Sequence, residues 1–132
     1  MYNNKVAYIS EQQAKDLITT LKQDKGYHIG VIDGIFSKTW LEYLEQIRLQ
    51  YKFPTKEDVF EGYLDWMEDL SWLNKNAFAL FIFNYNDFLS KEPQNKKIVM
   101  EMFTEILNWW STDADKYWNE GMTRPFNVYL VK

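Results

Sequence analysis

Six carboxylates lie within thirteen residues of the segment KEDVFEGYLDWMEDLSWL (56–73): Glu57, Asp58, Glu61, Asp65, Glu68 and Asp69. No basic residue follows Lys56 until Lys75. Carboxylates so concentrated can do three kinds of chemistry. Paired, they exchange protons; converging, they hold Mg2+ or Ca2+; spread over a surface, they form charge-assisted hydrogen bonds to lysine, arginine or histidine. The spacing favours the third. On a regular helix at 100° per residue the six acids share about 120° of the circumference, and Val59, Phe60, Tyr63, Leu64, Trp66, Met67 and Leu70 fill most of the rest. Side chains on one such face diverge, whereas a metal site draws ligands from several elements. Glu57/Glu61, Glu61/Asp65 and Asp65/Asp69 stand at i, i+4, where like charges repel by a few tenths of a kcal/mol. An ordinary solvated face mixes in lysines, as residues 91–101 do. From the residues alone, a surface for a cationic partner and a solvated acidic face are equal readings.

Other catalytic signals are sparse. The one histidine, His28, opens a strand candidate, where a structural role is expected. No Gly-rich phosphate loop, H-E-x-x-H, G-x-S-x-G or EF-hand pattern occurs. With no cysteine there is neither a disulfide nor a thiolate zinc site. The expectation is a chain that is not an enzyme, with no cofactor and no metal.

The elements that position the acids follow from periodicity. KVAYIS (5–10), YHIGVIDG (27–34), FALFIF (78–83) and FNVYLV (126–131) read as strands, FALFIF as a central one covered on both faces. SEQQAKDLITTLKQDKG reads as a helix with Ser10 as N-cap, Gln13 completing a capping box, and Leu17, Ile18 and Leu21 as its apolar stripe. SKTWLEYLEQIRLQYKF (37–53) is a second helix, with Ser37 as cap and Trp40, Leu41, Leu44 and Ile47 facing inward. Pro54 ends it, and the acidic helix is predicted over 57–70. NKKIVMEMFTEILNWW (95–110) is a fourth, with Ile98, Met102, Ile106 and Trp109 on one side. Tyr63 and Trp66 are expected in the core, Trp72 suits either core or contact, and the adjacent Trp109 and Trp110 must diverge. This order predicts an α/β fold with a small, mainly parallel sheet of three to four strands packed with about four helices.

At 132 residues and 46% hydrophobic, the chain is expected to form one domain over 1–132, and no linker or repeat interrupts it. The net charge is −4, yet residues 57–69 alone carry −6, so the other 119 residues net +2. That balance argues against a general nucleic-acid binder. The amino-terminal residues lack a signal-peptide pattern, and no window approaches the roughly 20 apolar residues of a membrane helix. A cytoplasmic chain with no membrane partner is predicted.

Phe53-Pro54, then a helix with two acids one turn apart, then DLSWL (69–73), resembles the barstar family of ribonuclease inhibitors. HIGVIDGIFSKTWLEYLEQI is similar to that family's first strand and helix, FALFIFNYNDFL to its central strand and following loop, and VMEMFTEILNWW with RPFNVYLV to its last helix and strand. The likeness covers about residues 28–132, with 1–27 as an added strand and helix. Glu61 stands where the family commonly has Asp, and Gly62 where it has Ala. The resemblance implies an inhibitor, monomeric when free, whose acidic helix enters the basic active site of a barnase-like ribonuclease or another toxin nuclease in place of phosphates. It puts Asp65 and Glu61 at the centre, with Glu57, Asp58, Glu68 and Asp69 adding field, Trp72 beside them and Glu105 in a supporting position. An immunity protein against a different nuclease, or a barstar-like regulatory module without catalysis, are the alternatives it leaves.

Overall fold

Seven residues, AFALFIF, form the strand on which the sheet is built. The computed structural model describes residues 2–113 and 123–132. In it β3 (Ala77–Phe83) is buried as far as Ile82, between β2 (Tyr27–Asp33) and β4 (Phe126–Val131). β1 (Val6–Ile9) adds to the far side of β4, giving the order β1-β4-β3-β2 with every pair parallel. A strand with neighbours on both sides and helices on both faces can bury every side chain, which is why β3 reads as an unbroken apolar run.

Alternation along the strands divides the core in two. Phe78, Leu80, Ile82, Val128 and Leu130 join one cluster, covered by α2 (Trp40–Tyr51), α3 (Phe60–Met67) and α4 (Pro93–Asn108). Ala79, Phe81 and Val131 join the other, covered by α1 (Glu11–Lys22) through Ala14, Leu17, Ile18 and Leu21. The α/β class, the parallel sheet and the four helices are as predicted. No helix among the described residues is long and apolar enough to cross a membrane.

Local chemistry sets the helix limits. Ser10 and Gln13 form the expected capping box of α1, with bonds of 3.1 and 2.8 Å. α2 is capped by Thr39 rather than Ser37, because the Thr39–Glu42 pair supplies a complete capping box two residues later. Ser37 is instead buried, and its hydroxyl donates to the Asp33 carbonyl at 3.0 Å. Both apolar stripes hold in most of their members and lose one at the edge. Trp40, Leu44 and Ile47 are buried as expected, but Leu41 is 63% exposed while Tyr43 is buried. On α4 Met102 and Ile106 are buried together with Val99 and Phe103, Ile98 lies exposed at the rim, and beyond the helix Trp110 rather than Trp109 is fully buried.

The outer edge of β2 is closed by α2. The Gln50 side-chain oxygen accepts the Val31 N–H at 2.8 Å, and that of Gln46 accepts the Asp33 N–H at 3.3 Å. An edge strand otherwise presents such groups as a template for another chain.

α2 and α3 meet through a buried pair of tyrosines whose hydroxyls lie 2.6 Å apart, Tyr43 and Tyr63. Tyr43 also packs edge-on against Phe88 and Phe103. Removing one hydroxyl strands the other in an apolar site, at a cost of about 1–3 kcal/mol. Tyr43→Phe and Tyr63→Phe should therefore each destabilise the protein in urea unfolding, and the double variant should lose clearly less than the two singles together. Additive losses would show that the pair is not coupled.

Candidate functional site

The acidic helix is shorter than its sequence suggests. α3 spans eight residues, Phe60–Met67, against the 57–70 expected. Only Glu61 and Asp65 lie within it; Glu57 and Asp58 precede it, Glu68 is its C-cap and Asp69 follows. The start is late because the chain before it is held elsewhere: the Asp58 carbonyl accepts the Trp40 indole N–H at 3.0 Å. The end is early because Leu70 adopts a left-handed backbone, φ 57°, that turns its side chain into the core at 1% exposure. Of the three i, i+4 acid pairs, only Glu61/Asp65 keeps helical geometry, so the carboxylates fan out more than a single helix face allows.

Eight residues are too few to be stable alone, and tertiary contacts supply the difference. Tyr63 and Met67 are fully buried. The Trp110 indole donates to the Met67 carbonyl at 2.9 Å, satisfying one of the orphan acceptors at the helix end. Trp110 is thus the core member of the adjacent pair, and Trp109 is half-buried beside it. The Trp72 indole donates to the Tyr51 carbonyl at 2.8 Å, and its ring meets Trp66 edge-on at 5.2 Å. Trp72 therefore acts first as a support beneath the acidic surface.

Glu57, Gly62, Asp65, Trp66 and Asp69 line a groove of about 290 Å3. Thr55 organises its rim, donating to Glu57 Oε2 at 2.6 Å and accepting from the Trp66 indole at 3.1 Å. Asp69 Oδ1 accepts the Ser71 N–H at 3.0 Å, leaving its other oxygen for a partner. Glu61, Asp58 and Glu105 are exposed but outside this groove, and Glu68 is half-buried. Thr55, Gly62 and Trp66 were missed as site residues; for Trp66 the signal existed, since it follows Asp65 at the boundary between the acidic and apolar sectors. Ion pairs among the described residues are Lys15–Glu11 and Arg48–Glu45, so no described lysine or arginine is paired with Glu57, Asp58, Glu61, Asp65 or Asp69. No cluster of three or more metal-type ligands occurs among the described residues. What the surface can do is accept charge-assisted hydrogen bonds from a cationic partner over an aromatic wall.

Gly62 sets how closely Glu57 folds back. A Cβ there would collide with the Glu57 carboxylate, the far end of a flexible, half-buried side chain. Gly62→Ala should raise stability by about 0.5–1 kcal/mol through helix propensity while expelling Glu57 from the groove. A fall in urea-unfolding stability would mean that Glu57 is fixed there by more than Thr55.

No family model and no curated protein matches the chain. Among solved structures it is similar to the ORC2 protein of Aeropyrum pernix in its ADPNP–ADP complexes, with a TM-score of 0.59 and 10% identity. The ADP form of the same protein gives a TM-score of 0.54 and 9% identity. Both alignments cover 98% of this chain but 34% and 35% of those chains, so it spans about a third of their length. At such identity the likeness is one of fold.

Proposed function

We propose that this chain is a proteinaceous inhibitor of a ribonuclease, and that the segment from Glu57 to Asp69 occludes the enzyme's basic active site in place of RNA phosphates. The observation that carries this reading is the exposed carboxylates of Asp58, Glu61 and Asp65 around α3, none of them in an ion pair among the described residues, on a helix whose other face is locked into the core. A ribonuclease cleft gathers lysine, arginine and histidine to hold phosphates, and a fixed acidic surface meets the same groups with charge-assisted hydrogen bonds. Asp65, shared by the helix and the groove, takes the centre, with Glu61 one turn before it. Glu57, Asp58, Glu68 and Asp69 add the field that steers encounter, and Trp66 offers an apolar wall. Glu105 is a supporting acid on α4.

The nucleotide complexes of the ORC2 protein suggest a phosphate-binding chain instead, but little in this fold favours that at the usual place. β1 passes into α1 through Ser10 alone, which leaves no loop to wrap a phosphate.

Calorimetric titration against a barnase-type ribonuclease, at low and moderate salt, tests the inhibitor reading. Asp65→Ala should weaken binding by about 2–5 kcal/mol, which is roughly thirtyfold or more, and Glu61→Ala should weaken it less. Raising salt should slow association much more than it speeds dissociation. Undiminished affinity in Asp65→Ala, or no binding at micromolar concentrations, would sink the proposal for this enzyme class.

A further inference from the structure

The net negative charge conceals a basic groove at the amino ends of the strands. Lys22 closes α1, Lys25 precedes β2, Lys52 follows α2 and Lys75 precedes β3. Together with Tyr27 and His28 they line a cavity of about 530 Å3. The one acid on its wall, Asp24, is occupied in part by the loop itself, its Oδ1 accepting the Gly26 N–H at 2.8 Å. Lys75 is drawn in by a 2.9 Å bond from its ammonium to the Lys25 carbonyl, which leaves other N–H donors of that group for a ligand. Neither ion pair among the described residues involves these lysines. Like charges gathered around a concavity repel one another and concentrate anions there.

His28 reports on that field. Its Nε2 donates to the Gln50 carbonyl at 2.7 Å, and its ring lies 5.0 Å from that of Tyr51. Burial holds its pKa below the ordinary value; the bond to Gln50 opposes this, and Lys52 and Lys75 press the pKa further down. Asp24, Tyr27, Lys22 and Lys25 are the other titratable groups on the groove walls.

We propose that this groove binds an anion carrying two or more phosphoryl groups, held by Lys22, Lys25, Lys52 and Lys75 beside His28. Its volume falls in the range of small-ligand clefts, roughly 300–1,000 Å3. Several ammonium groups suit several phosphate charges, which lysines bind as point charges without a fixed fork geometry. The acidic surface of a second copy carries the same sign as phosphate, but that contact joins two different faces. Unless its rotation closed a ring, it would string molecules into open filaments. The phosphates can belong to a free polyphosphate or nucleotide, or to the backbone of a single strand. The proposal goes beyond the inhibitor reading, and the two surfaces share no lining residue, so either can fail alone.

The full chain tests this directly, because His28 is its only histidine and its imidazole proton resonance is unambiguous. Titration with tripolyphosphate, and separately with an oligouridylate of about ten nucleotides, should shift that resonance saturably. Because a bound anion favours the imidazolium, the pKa of His28 should rise. In Lys22→Gln/Lys52→Asn both probes should bind about tenfold or more weakly, and for the oligouridylate the slope of log affinity against log salt should fall by about 1.4, roughly 0.7 for each lysine removed. Both positions are exposed, and Asn accepts the left-handed backbone of residue 52, φ 54°. Asp65→Ala should leave the shift intact. Tighter oligonucleotide binding that is lost in Tyr27→Leu assigns the phosphates to a nucleic-acid strand; equal binding of both probes assigns them to free polyphosphate. A resonance unmoved at millimolar probe, or equal affinity in the lysine double variant, would overturn the proposal. So would a double variant that changes only the sedimentation of the ligand-free protein, which would place a second copy in the groove.

Discussion

The packing of Tyr51 over Gly30 is the constraint from which much of the molecule hangs. The ring lies where a side chain at Gly30 would project, with its Cζ 2.9 Å from the position of a Cβ there. From that position its hydroxyl donates to the Ala79 carbonyl at 2.9 Å, and its ring stacks on Phe126. One side chain at the end of α2 thereby touches β2, β3 and β4. Its carbonyl receives the Trp72 indole beneath the acidic groove, and its ring meets His28 in the basic one. Two surfaces of opposite sign are positioned by one fully buried tyrosine.

Indole N–H groups do for α3 what helix propensity cannot. Trp40 anchors the chain just before it and Trp110 the carbonyl at its end, while Trp66 ties the helix to the preceding turn. An indole brings a large apolar body and one donor, so it can fill the core and satisfy a distant polar group in the same placement. The acids at Glu61 and Asp65 consequently project from a fixed backbone. Groups held in place before a partner arrives lose less freedom when it binds.

Much of this architecture was legible because its signals are local. The Ser10–Gln13 capping box, the unbroken apolar run of β3 and the end of α2 ahead of Pro54 belong to neighbouring residues, and the parallel sheet follows from the alternation of strands and helices. The acidic concentration was visible for the same reason. The limits of α3 were not, because Leu70 turns left-handed to reach the core and Trp110 reaches the Met67 carbonyl from forty-three residues away. Thr39 displaced Ser37 as cap only because both have plausible sequence contexts and one has the better partner. The basic groove was invisible to a linear reading: Lys22 with Lys25, Lys52 and Lys75 come from three separate stretches of chain, and a whole-chain charge of −4 averages them away.

Gln46 and Gln50, spanning the open side of β2, limit how this protein can be recognised. A peptide that joins a sheet as an extra strand needs free main-chain groups in register. Here the outward N–H groups of Val31 and Asp33 are already engaged by glutamine side chains, and the opposite margin is a strand of four residues. Among the described residues neither margin offers a long free ladder. Recognition is thus left to side chains, whose charge and shape can discriminate between partners in a way that backbone pairing does not.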